Sequence, residues 1–183
     1  MSFQFCWFRR TNGQGWAARW LIRQICLFAI CLSIGGFFVL GVPANAEATD
    51  YNKQFLVGAD FSGRSLTDDS FTKANLRYSN FSHSDLRGVS FFGANLEGAN
   101  LEGATLSYAT LDSARFVETN LTNAVLEGAF AFNANFDGAT IDGADFTDVL
   151  LRQDVQERLC EIAQGTNPTT GRNTRETLEC DFN

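Results

Sequence analysis

A large apolar residue returns at every fifth position of this sequence from residue 61 to residue 146 without loss of register. The series is Phe61, Leu66, Phe71, Leu76, Phe81, Leu86, Phe91, Leu96, Leu101, Leu106, Leu111, Phe116, Leu121, Leu126, Ala131, Phe136, Ile141 and Phe146. Its one small member is Ala131. A helix repeats every 3.6 residues and a simple strand every two, so neither explains a period of five. The pattern instead predicts a repeat structure over residues 59–148.

A second column of small residues lies two positions before the first. Alanine fills it 12 times, at Ala59, Ala74, Ala94, Ala99, Ala104, Ala109, Ala114, Ala124, Ala129, Ala134, Ala139 and Ala144. Residues two apart on an extended segment point the same way, so both columns face inward. The last two residues of each repeat turn a corner, where glycine, asparagine and aspartate recur. Repeated corners wind the chain into stacked coils that share one buried core.

The repeats Ala94–Gly98 and Ala99–Gly103 both read Ala-Asn-Leu-Glu-Gly and resemble the A(D/N)LXX consensus of the pentapeptide-repeat family. The resemblance implies an all-β solenoid, a right-handed quadrilateral β-helix in which residues 20 apart stack. Asn80, Asn100 and Asn120 then share a column, where amide side chains can hydrogen-bond along the axis. Four repeats per coil and ~4.8 Å per coil give a helix about 22 Å long.

Residues 1–46 have the order of a secretory signal peptide. They contain four arginines and no acid, then the apolar run Ile25–Val42, then Pro43 and the small-residue site Ala44-Asn45-Ala46. This order predicts cleavage after Ala46. An uncleaved membrane anchor is the alternative, because the apolar run of 18 residues reaches the lower limit for a membrane span.

Both ends of a solenoid need covering, because an end coil exposes core and an unpaired strand edge. We expect residues 47–58 to form an N-terminal cap, with Phe55 or Leu56 over the core. Arg64 and Asp69 occupy inward positions of the first coil, so we expect them at the open end, paired with each other. Residues 149–183 are expected to form a helical cap, with a helix over 154–163 and a shorter one after residue 173.

Cys160 and Cys180 are the only cysteines after residue 46, and an even count suits a disulfide in an oxidising compartment. Closing a loop of about 20 residues contributes roughly 3 kcal/mol in the chain-entropy description. The C-terminal sequence from Leu159 to Cys180 resembles the tail of thylakoid-lumen pentapeptide-repeat proteins of cyanobacteria and chloroplasts. The resemblance implies a thylakoid-lumen location, with the bacterial periplasm as the alternative. The short leader favours a cyanobacterial source.

The sequence offers little for catalysis. His83 is the one histidine and falls at an outward corner, and the cysteines lack C-x-x-C spacing. We therefore expect no catalytic residue, no metal site and no cofactor. All 21 acidic and ten of the 14 basic residues lie from Glu47 onward, so that part has a formal charge of −11. This charge opposes binding to nucleic acid and stable association with anionic membranes after cleavage.

One side of the solenoid carries outward aromatic residues, which we call the aromatic face: Phe92, Phe130 and Phe132. Outward aromatic side chains on an acidic protein mark a candidate interaction site, here for a lumenal or periplasmic protein. Two alternatives are also compatible with the sequence. The C-terminal helices can cover Phe130 and Phe132, or the register can slip so that one phenylalanine replaces the small Ala131.

These observations predict a non-catalytic interaction or scaffold protein of the thylakoid lumen or periplasm. A redox-regulated protein acting through Cys160 and Cys180 is a second possibility. A third is a DNA-mimicking pentapeptide-repeat protein that acts on topoisomerase, which the signal peptide and the cysteine pair disfavour.

Overall fold

The chain turns a corner every five residues in the computed structural model, which describes residues 48–180. The predicted signal peptide and its cleavage site at Ala44 and Ala46 lie outside the described residues. At a representative corner the Arg64 N–H donates to the Phe61 carbonyl at 3.3 Å, and Gly63 between them has φ +63°. This is a type II turn, whose third residue needs positive φ and therefore favours glycine and asparagine.

Each side of a coil contributes one residue that forms a parallel bridge to the residue 20 positions later. Asn80, for example, bridges Asn100, and Asn100 bridges Asn120. The sides are single-residue bridges, running from Asp50 to Leu150, and no longer strand forms in the described part of the chain. The predicted right-handed quadrilateral β-helix is confirmed.

The core is the inward series that the period predicted. Its leucine and phenylalanine side chains are almost wholly buried, and its phenylalanines stack along the axis. The ring centroids of Phe61 and Phe81 lie 4.9 Å apart with planes 7° from parallel, and those of Phe71 and Phe91 lie 5.3 Å apart. Each such buried side chain contributes about 1.5–3 kcal/mol, so the inner columns are the main source of stability.

The asparagines between the two inward columns connect coils. Asn120 Nδ2 donates to Asn100 Oδ1 at 3.1 Å, and Asn80 Nδ2 donates to Asp60 Oδ1 at 3.2 Å. Each side-chain oxygen also accepts within its own turn, as when the Ser82 N–H donates to Asn80 Oδ1 at 3.1 Å. Asparagine suits this position because one amide can both hold a corner and link two coils.

The expected N-terminal cap is instead a first coil. Asp50 bridges Ser70 and Phe55 bridges Asn75, while Tyr51 packs against the core. Tyr51 and Leu56 continue the large inward series two repeats upstream, so the solenoid begins near residue 49, with about five coils and a length of about 24 Å. Phe55 points outward and is 86% exposed, so it does not cover the core.

The expected pairing of Arg64 with Asp69 is wrong. Asp69 is buried, and its Oδ1 accepts a hydrogen bond from the Thr49 N–H at 2.6 Å. Arg64 is exposed at the open end, with its guanidinium carbon 5.3 Å from the Phe61 ring centroid. The first coil therefore accommodates both charges: Asp69 accepts from a backbone N–H, and Arg64 makes a cation–π contact.

Two helices follow the last coil. Helix α1 spans Gln153–Ile162 and buries Val155 and Leu159, so it covers the core at this end. Helix α2 spans Thr174–Thr177, and its N-cap Asn173 accepts from the Arg175 N–H. Neither helix of the described residues is long and apolar enough to cross a membrane.

Candidate binding face

The register holds through Ala131, which settles where the neighbouring phenylalanines point. Ala131 lies fully buried at the inward position, and its N–H donates to the Leu150 carbonyl at 3.1 Å. The alternative of a register slip is therefore wrong. Phe130 and Phe132, on either side of Ala131, both project outward because side chains alternate along an extended segment.

The helices leave these two rings accessible. Phe130 is 49% exposed and Phe132 is 56% exposed, and Leu150, which bridges Phe130 in the next coil, is 55% exposed. We call Phe130, Phe132 and Leu150 the apolar cluster. Sequence reasoning missed Leu150, although its position 20 residues after Phe130 was a sufficient signal.

Phe92, the third predicted residue of the aromatic face, lies apart from the apolar cluster. It is 39% exposed and stands two coils below Phe132 in the same column, about 10 Å away at ~4.8 Å per coil. Asp112 occupies the coil between them. The aromatic face is therefore a compact apolar cluster near the C-terminal end with one separate ring beyond a carboxylate.

The corner beside the apolar cluster departs from the others. Between Lys53 and Asp148, Asn133 is the corner residue without positive φ. Its N–H and its Nδ2 donate to Asp112 Oδ1 at 2.9 and 3.1 Å. Among the described contacts, the usual bond from the corner N–H at Ser113 to the Phe132 carbonyl is missing. The ladder of backbone hydrogen bonds between neighbouring coils is thus interrupted at Phe132.

A surface depression of about 500 Å³ adjoins Phe132. It is lined by Phe132, Leu151, Arg152, Gln153, Asp154 and Glu157. Arg152 Nε lies 2.9 Å from Asp154 Oδ1, so part of the rim is an exposed ion pair. An apolar centre with a polar rim is the usual composition of a protein–protein contact.

The C-terminal segment is held together by a disulfide and is bound to the solenoid by buried side-chain contacts. The structure contains the expected disulfide between Cys160 and Cys180, with an S–S distance of 2.09 Å. Buried Asn167 donates through Nδ2 to the carbonyls of Asn123, Ala124 and Gly143 at 3.1, 3.2 and 2.8 Å. These contacts attach the residues that follow helix α1, which we call the tail, to the last coils of the solenoid.

Arg172 adds a charged attachment between the tail and the solenoid. Its Nη2 lies 2.7 Å from Glu127 Oε2, and its Nε lies 2.8 Å from Oδ2 of the buried Asp145. Burial raises the pKa of Asp145, but hydrogen bonds from Thr147 and Thr170 and the charge of Arg172 outweigh it. The net result is a pKa below the ordinary value, so Asp145 is ionised at neutral pH.

The residues considered for chemistry remain dispersed. His83 lies exposed at its corner, as predicted from the period. Within residues 48–180 no group of three or more histidine, cysteine, aspartate or glutamate side chains is placed to hold a metal ion.

Comparisons with known proteins agree with this architecture. The sequence profile described as Pentapeptide repeats matches in eight copies over residues 56–91, 84–123 and 114–153. Thylakoid lumenal 15 kDa protein 1, chloroplastic, of Arabidopsis thaliana is 57% identical over 37 residues, which is 20% of this chain and 16% of that protein.

Solved structures extend the comparison to most of the solenoid. A pentapeptide repeat protein of the Arabidopsis thaliana thylakoid lumen is 47% identical, with a TM-score of 0.71 over 72% of this chain and 92% of that one. The pentapeptide repeat protein Rfr23 of the cyanobacterium Cyanothece 51142 is 26% identical, with a TM-score of 0.46 over 55% and 80% of the two chains. This chain belongs to the pentapeptide repeat family and is similar to its thylakoid-lumen members.

Proposed function

We propose that this protein is a non-catalytic binding module of the thylakoid lumen, which recognises another lumenal protein through the apolar cluster. The observation that carries the proposal is the grouping of three half-exposed apolar side chains, Phe130, Phe132 and Leu150, at neighbouring positions of two adjacent coils. The location rests on similarity to thylakoid-lumen relatives and on the signal-peptide order of residues 1–46.

The composition of the cluster supports binding over catalysis. Aromatic side chains supply large contact areas with little conformational freedom to lose, and they are enriched among residues that dominate binding energy. The neighbouring depression offers a concave surface beside Phe132. Leucine and phenylalanine fill the solenoid interior, so there is no comparable space there for a substrate.

A photo-crosslinking experiment tests the proposal. A photoreactive phenylalanine analogue at position 132 should capture a discrete partner from lumenal extract, and the analogue at the exposed Phe55 should not capture it. Phe132→Ser should weaken the partner's affinity by at least about 30-fold, because central aromatic contacts contribute 2 kcal/mol or more. Phe92→Ser should weaken it less, since Phe92 stands apart from the cluster.

The control variant is Tyr78→Ser, which removes an aromatic ring of similar exposure at another corner of the solenoid. Capture that survives Phe132→Ser, or that is lost equally in Tyr78→Ser, contradicts the assignment of this face. Normal circular dichroism of each variant would show that the solenoid itself is intact.

A further inference from the structure

Within residues 48–180, the first coil leaves a strand edge unpaired at the N-terminal end of the solenoid. In the coils above, the residue between the inward columns uses its backbone fully: the Asn75 N–H donates to Gln54 O at 2.9 Å, and Asn75 O accepts from Leu56 at 2.8 Å. At the equivalent positions Phe55, Asp60 and Ser65 the N–H and C=O groups have no partner among the contacts of residues 48–180. Unpaired edges of this kind are templates for association.

The opposite end is partly covered by the C-terminal segment. The Gly143 N–H donates to the Gln164 carbonyl at 2.8 Å, and the Phe146 N–H donates to Thr177 Oγ1 at 3.1 Å. Helix α1 covers the core beside them. Within residues 48–180, the last coil is thus covered by a helix and a tail segment, whereas the first coil has no such cover.

One side of the first coil carries two outward apolar residues, Phe55 and Val57. Phe55 is 86% exposed, and its column continues as Asn75, Asn95, Arg115 and Asn135. Val57, 55% exposed, lies on the same side, two residues along the chain. A free backbone edge and two exposed apolar side chains thus coincide on one side of the coil.

The shape of this edge restricts what can complete it. The chain turns after every five residues, so a straight strand can pair with only one of the four sides. A coil with the same four-sided path can pair with several at once. Charges of both signs surround the edge, with Lys53 and Arg64 among Asp50, Asp60 and Asp68, so the rim can pair with its own copy.

We propose that the open first coil is a self-association surface and that two copies of this chain meet head to head across it. A two-fold axis perpendicular to the solenoid makes the facing sides antiparallel and brings Phe55 and Val57 of both copies together. The dimer leaves the apolar cluster free at both far ends. The inference does not depend on the proposed function, because it uses the other end of the molecule.

Analytical ultracentrifugation tests the proposal on the protein in the form in which it accumulates in its compartment. The expected result is a concentration-dependent dimer. Phe55→Lys and, separately, Val57→Lys should each raise the dissociation constant at least tenfold, because each change places like charges opposite one another across the axis. Neither side chain is buried, so both variants should keep the native circular dichroism spectrum.

Phe132→Lys is the matched control, since it adds the same charge at an exposed phenylalanine of the other end and should leave the dimer unchanged. A protein that stays monomeric at a concentration of about 100 μM would overturn the proposal, because even a weak specific dimer should form at that concentration. So would a dimer that persists in both first-coil variants or that is lost in Phe132→Lys. Partner capture in Phe55→Lys separates the two proposals, because it should remain intact.

Discussion

The corner glycines make a prediction about how neighbouring coils fit. Gly98 has φ +66°, and a Cβ placed on it would lie 2.6 Å from Cδ1 and Cε1 of the Tyr78 ring one coil below. Gly93, at the preceding corner of the same coil, has φ +63°, and its Cβ would lie 3.4 Å from Lys73 Cγ, an ordinary contact. The two sites have similar backbone conformations and different neighbours.

Gly93→Ala should therefore measure the backbone effect alone. A left-handed conformation costs an L-residue about 1–2 kcal/mol, and alanine recovers about 0.4–1 kcal/mol through the unfolded chain. The expected net loss is about 0.5–1 kcal/mol. Gly98→Ala should lose about 1 kcal/mol more, because the Tyr78 ring has to leave its place. The increment is modest since Tyr78 is 59% exposed and has space to move.

Urea denaturation monitored by circular dichroism would measure both free energies of unfolding, and a double-mutant cycle isolates the contact. Tyr78→Ala combined with Gly98→Ala should return the cost at residue 98 to the value found for Gly93→Ala. Equal losses in Gly93→Ala and Gly98→Ala would refute the reasoning, as would a cost at residue 98 that is unchanged when Tyr78 is absent.

Three further predictions concern the C-terminal segment. Asp145→Asn should lower the free energy of unfolding by about 1–3 kcal/mol at neutral pH. Because the folded-state pKa of Asp145 is below its ordinary value of 3.8, this stabilisation is present above that pH and is lost as the pH falls through the lowered pKa, so urea titrations of wild type and variant should converge in acid. Asn167→Ala leaves the carbonyls of Asn123 and Gly143 without their donor, while the Ala124 carbonyl keeps the Asp145 N–H, and it should cost about 2–3 kcal/mol, with hydrogen exchange rising first around residue 143. Cys160→Ser should destabilise the tail by roughly 3 kcal/mol, as limited proteolysis would show, and dithiothreitol should reproduce the effect in wild type without altering the variant.

Much of the solenoid could be predicted from the sequence because one geometrical rule, repeated every five residues, decides which side chains are buried. Leu96 and Leu101 need no knowledge of distant residues to be placed in the core. The first coil was missed because Gln54 and Arg64 occupy positions that alanine fills elsewhere, which hid the continuation through Tyr51 and Leu56. A periodic rule weakens at its ends, where solvent replaces the neighbouring coil.

The candidate binding face was predictable in part. The column arithmetic placed Phe130 and Phe132 outward, and the buried Ala131 keeps them there. The positions in the repeat could not predict that Asn133 lacks the positive φ of the other corners, because this depends on a side-chain contact with Asp112. The path of the tail was also beyond prediction, since Asn167 reaches carbonyls 24 to 44 residues away in sequence.

The stacking of residues 20 apart has a consequence for how such a protein can change in length. Deleting 20 residues removes one layer, shortens the molecule by about 4.8 Å and leaves the orientation of everything beyond it unchanged. Deleting a single repeat of five instead rotates the C-terminal part by a quarter turn relative to the first coil. The number of repeats therefore sets both the distance between the two ends and the rotation of one end relative to the other about the solenoid axis.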